Sequence, residues 1–270
     1  MGGFISYKAY IFFCICLFGY IQNSFAGAWL LDKGESQLIS SFIIDRAQRS
    51  YGPDFPVSDP EFFKAESLLY IERGWRPKIN LIGSFAVQNV SFKSGDERND
   101  FQGFGAISAG LRYQIKKTHR DVLSAEIHGI VIGGGEEIPD GDLGRGNLAV
   151  ESRLLYGRGF DLLGRHAFID QQIGYRFRTS NINLFLSDTT LGVNVTPKIL
   201  MLIQGFYNQN QGDLTNNEDI IFPNKAYKLQ TSLVYKVNEK YRLQAGGFKT
   251  IFGENIIDEE ALLFGGWTKF

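Results

Sequence analysis

Three histidines set the scope for acid–base chemistry in this chain, since a hydrolase working near neutral pH commonly uses one as its proton carrier. His119 and His166 lie in short polar connections, where they read as solvated surface. His128 follows Ser124 and Glu126 at two-residue steps, which along a strand puts all three on one face. That row has the types of a nucleophile, an acid and a base. Residues two apart on a strand nevertheless stand roughly 6.5–7 Å from one another, and a nucleophile and its base must meet at about 3 Å. The local sequence His128-Gly129-Ile130-Val131-Ile132 also lacks a phospholipase-type His-x-Ser-Asn-Gly motif. No catalytic residue is assigned on these grounds.

Other candidates fall to similar tests. Gly133-Gly134-Gly135 has no Gly-Lys-Ser/Thr after it and reads as a strand end, not a phosphate cradle. Two acidic stretches, Asp96, Glu97 and Asp100, then Glu136, Glu137, Asp140 and Asp142, have the hard oxygens that calcium prefers. Neither continues into the twelve-residue calcium-loop spacing, so no metal and no cofactor is expected. With 28 Lys+Arg against 29 Asp+Glu, the chain also lacks the basic excess of a nucleic-acid-binding domain.

The elements that would carry these side chains are strands. From Phe104 to Ile115, Ile107, Ala109, Leu111, Tyr113 and Ile115 alternate with Ala106, Ser108, Gly110, Arg112 and Gln114. The same two-residue period recurs in Val122–Ile132, Asn147–Tyr156, Ala167–Arg178 and Tyr227–Val237. About a dozen such segments fit the chain, each bounded by Gly, Pro, Asn, Asp or charged clusters. The polar face collects Lys64, Glu66, Glu72, Arg112, Glu126, His128, Glu151, Arg153, Asp170, Arg176, Arg178, Asp188, Lys228 and Lys236. Two readings stand open: a salt-bridge network that stiffens the fold, with Arg112 on Glu126 and Arg153 on Asp170, or a charged pathway. Small residues on that face, among them Ser84, Ala86, Ser108, Gly110, Gly174, Gly192 and Gly246, argue for interior space.

The N-terminus supplies the cellular context. Lys8, the apolar run Ala9–Tyr20 and Ser24-Phe25-Ala26 form a secretory signal peptide with a small-x-small cleavage site, and the run is shorter than the roughly 18–20 residues of a spanning helix. This divides the chain into a signal, 1–26, and one domain, 27–270. Cys14 and Cys16 both fall in the signal, so the exported domain has no disulfide and no thiolate ligand. After Ala26 no apolar stretch reaches 18 residues, and a membrane protein without helices must be a closed barrel. A soluble β-sandwich alternates too, so the connections decide. Those at 46–61, 93–102, 134–146, 179–182, 211–224 and 253–258 are long, and those at 75–78, 116–121, 161–165, 196–198 and 238–240 are short. Long loops outside and short turns in the periplasm are the bacterial rule. Aromatic residues gather at both ends, with Tyr156, Phe160, Tyr241 and Phe270 at the short turns and Tyr175, Phe177, Tyr207 and Tyr227 at the long loops. The expected fold is all-β, a transmembrane antiparallel barrel of about 12 strands.

Two resemblances add to this reading. The final segment Leu262–Phe270, ending on an aromatic residue, resembles the closing strand that the barrel-assembly machinery of Gram-negative bacteria recognises. Gly27-Ala28-Trp29 with Lys33-Gly34-Glu35, Gly110-Leu111-Arg112-Tyr113, and Phe168-Ile169-Asp170 with Gly174-Tyr175-Arg176-Phe177-Arg178 resemble outer-membrane proteins grouped with the MetA pathway of phenol degradation, and XagA-like and hypothetical relatives. The resemblance implies a passive outer-membrane channel or transporter for small molecules, aromatic or hydrophobic ones included, surrounded by lipid and lipopolysaccharide. A closed structural or surface-interaction barrel acting through its loops is the alternative, and an outer-membrane hydrolase comes third.

Overall fold

The structure is a computed structural model and describes residues 27–52, 61–94, 97–131, 133, 148–179, 183–211 and 224–270. The signal-peptide assignment at 1–26 and the acidic stretch at 136–142 lie outside the described residues, as does most of the connections 46–61 and 211–224.

Twelve strands close into one antiparallel barrel: β1 (Ser36–Ala47), β3 (Glu61–Arg76), β4 (Ile79–Ser94), β5 (Glu97–Lys117), β6 (Asp121–Val131), β7 (Leu148–Leu162), β8 (Arg165–Arg178), β9 (Asn183–Thr196), β10 (Ile199–Gln211), β11 (Lys225–Lys236), β12 (Tyr241–Glu254) and β14 (Glu260–Lys269). Each pairs with its neighbour in sequence order, and β1 closes the ring between β3 and β14. Closure removes every free edge, which a sheet in hydrocarbon requires. Both ends of the barrel sequence meet at one rim, where Ser36 and Phe270 exchange backbone hydrogen bonds of 2.7 and 3.0 Å. The short turns lie at this rim and mark it as periplasmic.

The strand period sorts the side chains as the alternation requires. Ile107, Leu111, Tyr113 and Ile115 on β5, Leu154 and Tyr156 on β7 and Leu233 and Tyr235 on β11 are exposed on the outer wall. Arg112, Glu126, Glu151 and Asp170 are buried on the inner one. One connection differs from expectation. Residues 93, 94 and 97–102 continue a tall hairpin, with β4 and β5 paired out to Ser94 and Glu97. Beyond the bilayer a strand has no need of apolar alternation, so Lys93, Arg98, Asn99 and Asp100 extend the ladder while reading as a loop. At the extracellular end β2 (Ser50–Tyr51) and β13 (Ile256–Ile257) form a two-stranded sheet, and Ile257 packs on Ala47, Phe62, Val90 and Phe92.

Candidate functional site in the barrel lumen

On the wall made by β3 to β6, Arg112 is 3 % exposed and donates from Nε to Glu126 Oε2 at 2.5 Å and from Nη1 to both oxygens of Glu72 at 3.1 and 3.2 Å. Tyr70 Oη donates to Glu72 at 3.0 Å and Asn80 Nδ2 at 2.5 Å, so the carboxylate is held on every side. Glu126 Oε1 meets His128 Nε2. The two-residue step that separates their backbones is bridged by side-chain reach, which strand spacing alone had placed out of contact. Ser124 does not join them: its hydroxyl donates to the Ala28 carbonyl at 2.6 Å.

A second group lies on β7 to β9. Arg153 pairs with Glu151 and Asp188, and donates to Gln172 Oε1 at 3.2 Å. Arg176 Nε donates to the other Glu151 oxygen at 2.7 Å. The expected Arg153–Asp170 pair is absent because the register sets Arg153 opposite Gly174 and Asp170 opposite Gly157, four residues lower. Asp170 accepts instead from Gln172 Nε2 at 2.8 Å and from the Ala28 amide at 2.6 Å. Toward the extracellular mouth Lys64 lies 3.9 Å from Glu66, which accepts from Gln88 at 2.5 Å, and Lys228 pairs with Glu259. Lys236 pairs at 2.7 Å with Glu239 in a periplasmic turn, and the Arg178 amide donates to Asn183 Oδ1 at 3.2 Å.

The opposite wall carries amides. Gln204 Nε2 donates to Thr190 at 3.2 Å, Gln230 Nε2 to Gln204 Oε1 at 2.8 Å, Gln244 Nε2 to Ser232 at 2.9 Å and Trp267 Nε1 to Gln244 Oε1 at 2.9 Å. Toward the periplasm this wall becomes apolar, with Leu200, Leu202, Val234 and Trp267 gathered beside Phe168 of β8.

The residues before β1 cross between the two walls. Ala28 is fully buried and packs on Val122 and Leu155, while its amide and carbonyl are held by Asp170 and Ser124. Trp29 packs against the apolar cluster and meets Phe168 edge to face, with ring centroids 5.6 Å apart. Contacts reaching from β6, β7 and β8 to β10, β11 and β14 are available only inside the barrel. Gly157 faces the Trp29 ring so closely that a Cβ would come within 2.6 Å of it. The interior space implied by small residues is therefore largely taken: Trp29 covers Gly157, the Arg153 side chain covers Gly174 and the Phe168 ring covers Gly192. No local signal in the sequence marks the crossing segment, whose hydrogen-bond partners lie 96 and 142 residues away.

No family model matches the chain, and no curated protein does. Solved structures do. The COG4313 outer membrane channel from Pseudomonas putida F1 superposes with a TM-score of 0.69 at 15% identity, over 92% of this chain and 99% of that one. The NanC porin gives 0.53 at 10% identity over 86% and 100%, and the translocator domain of the autotransporter NalP from Neisseria meningitidis gives 0.54 at 6% identity over 89% and 90%. At these identities the likeness concerns architecture, and the architecture is that of the outer-membrane β-barrels.

Proposed function

We propose that the chain is a passive outer-membrane channel for small solutes, exported by residues 1–26, whose pathway is closed toward the periplasm by its own residues 27–33. The observation that carries this reading is the polar clasp on Ala28, whose amide and carbonyl are held inside the lumen by Asp170 and Ser124. Eight strands make a barrel that side chains fill and 16–18 leave a water channel, so twelve leave a gap that something must occupy. Here the occupant is a short segment held by two hydrogen bonds and one indole ring, which can leave without unfolding a strand.

The lining supports small amphipathic solutes. An aromatic or hydrophobic molecule would pass the cluster of Phe168, Leu200, Leu202, Val234 and Trp267 while its polar end faced the ionic wall. The resemblance to barrels grouped with phenol degradation points to the same class, and the neighbouring channel and porin structures favour conduction over catalysis. The separation of Ser124 from His128 speaks against a hydrolase. The density of paired charges favours a second reading, a permanently closed barrel acting through its loops.

Single-channel recording of residues 27–270, and of the same protein lacking residues 27–32, distinguishes these. A channel closed by its own segment gives rare openings intact and long, larger ones truncated. Silence from both, with the heat-dependent gel mobility of a folded barrel, favours the closed reading. Equal conduction from both removes the segment from the pathway.

A further inference from the structure

On the outer wall near the extracellular rim, cross-strand register aligns two rows over β1, β14 and β12. The upper row is Arg46, Glu260 and Lys249, and the lower is Ile44, Leu262 and Gly247. Below them Phe42, Phe264 and Ala245 form a third row. A groove of about 420 Å³ lies beneath the charged row, walled on its apolar side by Ile44 and Leu262 and bordered above by Arg46, Lys249 and Glu260; β12 carries Gly247, with no side chain, opposite Leu262. A smaller hollow of about 260 Å³ adjoins it above, reached by Arg49.

The charges of the upper row are unequal. Arg46 is exposed and tied to Glu260 by contacts of 2.8 and 2.9 Å, leaving part of its guanidinium open. Lys249 has no ion pair among the described residues, whereas the outward cations Lys93, Arg98 and Lys225 each have a carboxylate partner. Arg49 pairs with Asp258 at 3.1 Å. The result is two cations about Glu260, one of them unneutralised, directly above an apolar track that faces hydrocarbon.

We infer that this groove binds the lipid A portion of lipopolysaccharide, with a glucosamine phosphate on Lys249 and the open edge of Arg46 and an acyl chain along Ile44 and Leu262. The outer leaflet presents that combination of phosphate and acyl chain at this height, and charged hydrogen bonds to phosphate strengthen where water is partly excluded. The inference rests on the outer-membrane placement of the barrel and is independent of conduction.

The test is native mass spectrometry of the mature chain (27–270) in detergent with bisphosphorylated lipid A. The double variant R46A/K249A, which alters only exposed side chains, is expected to lose about tenfold or more in affinity. Leu262→Ala, which strips apolar lining from the groove, is expected to weaken binding while leaving both cations in place. Phosphatidylglycerol is expected to compete poorly. Unchanged lipid A binding by R46A/K249A, equal competition by phosphatidylglycerol, or displacement by inorganic phosphate alone would each overturn the proposal. Wild-type heat-dependent gel mobility of R46A/K249A would show that the barrel is intact, so failure here leaves the channel reading untouched.

Discussion

Between the two rims, the polar inward side chains along β3 to β9 are largely ionic and mutually paired, whereas those along β9 to β14 are amides that give way to apolar residues. Both walls pair polar groups away from bulk water, by means that differ in consequence. Arg112 holds two carboxylates and Glu151 is shared by two arginines, so a single loss leaves a buried charge unpaired. Gln204, Gln230 and Gln244 form neutral links whose loss is mild. Residues 27–33 use both walls, taking hydrogen bonds from the ionic side and packing Trp29 on the apolar one. A stiff wall facing a forgiving one, with a detachable segment between them, suits a pathway that opens without rebuilding the barrel.

The contrast can be broken most severely at Arg112. Arg112→Ala strands Glu72 and Glu126 in the lumen and is expected to lower unfolding stability in micelles by about 3–5 kcal/mol, read as a shifted urea midpoint. Next comes Asp170→Ala, which frees the Ala28 amide. Its loss of a charged hydrogen bond, about 1.5–3 kcal/mol, is expected to raise open probability roughly tenfold to a hundredfold with stability nearly unchanged. Trp29→Ala acts from the apolar side, removing roughly 2 kcal/mol of docking and lengthening the openings in single-channel records. Gln230→Leu should cost least, about 1 kcal/mol in the same urea experiment. A loss at Gln230 as large as that at Arg112 would erase the distinction between the walls.

The barrel was legible because lipid and lumen impose opposite demands on successive residues, and Ile107 to Ile115 record that alternation directly. The inward charges followed from the same parity. Their partners followed only in part: Arg112 pairs with Glu126 as expected, but register decides whether Arg153 faces Asp170 or Asp188, and parity is blind to a shift of four residues. The β4–β5 hairpin tip was misread for a related reason: outside the bilayer, backbone pairing persists without an apolar face to announce it. Ala28 and Trp29 escaped notice because nothing local marks a chain that enters a lumen; only the glycine opposite Trp29, far along the sequence, accommodates it.

The central claim, that residues 27–33 close the pathway by spanning the two walls, can be tested with one engineered disulfide. Cys14 and Cys16, the two native cysteines, precede residue 27, so Ala28→Cys with Ser124→Cys creates a single cysteine pair in a protein of residues 27–270. Currents through this variant in a planar bilayer should be absent while the pair is oxidised and should appear when reductant is added. Equal conductance before and after reduction, with the cross-link verified by mass, would contradict the account.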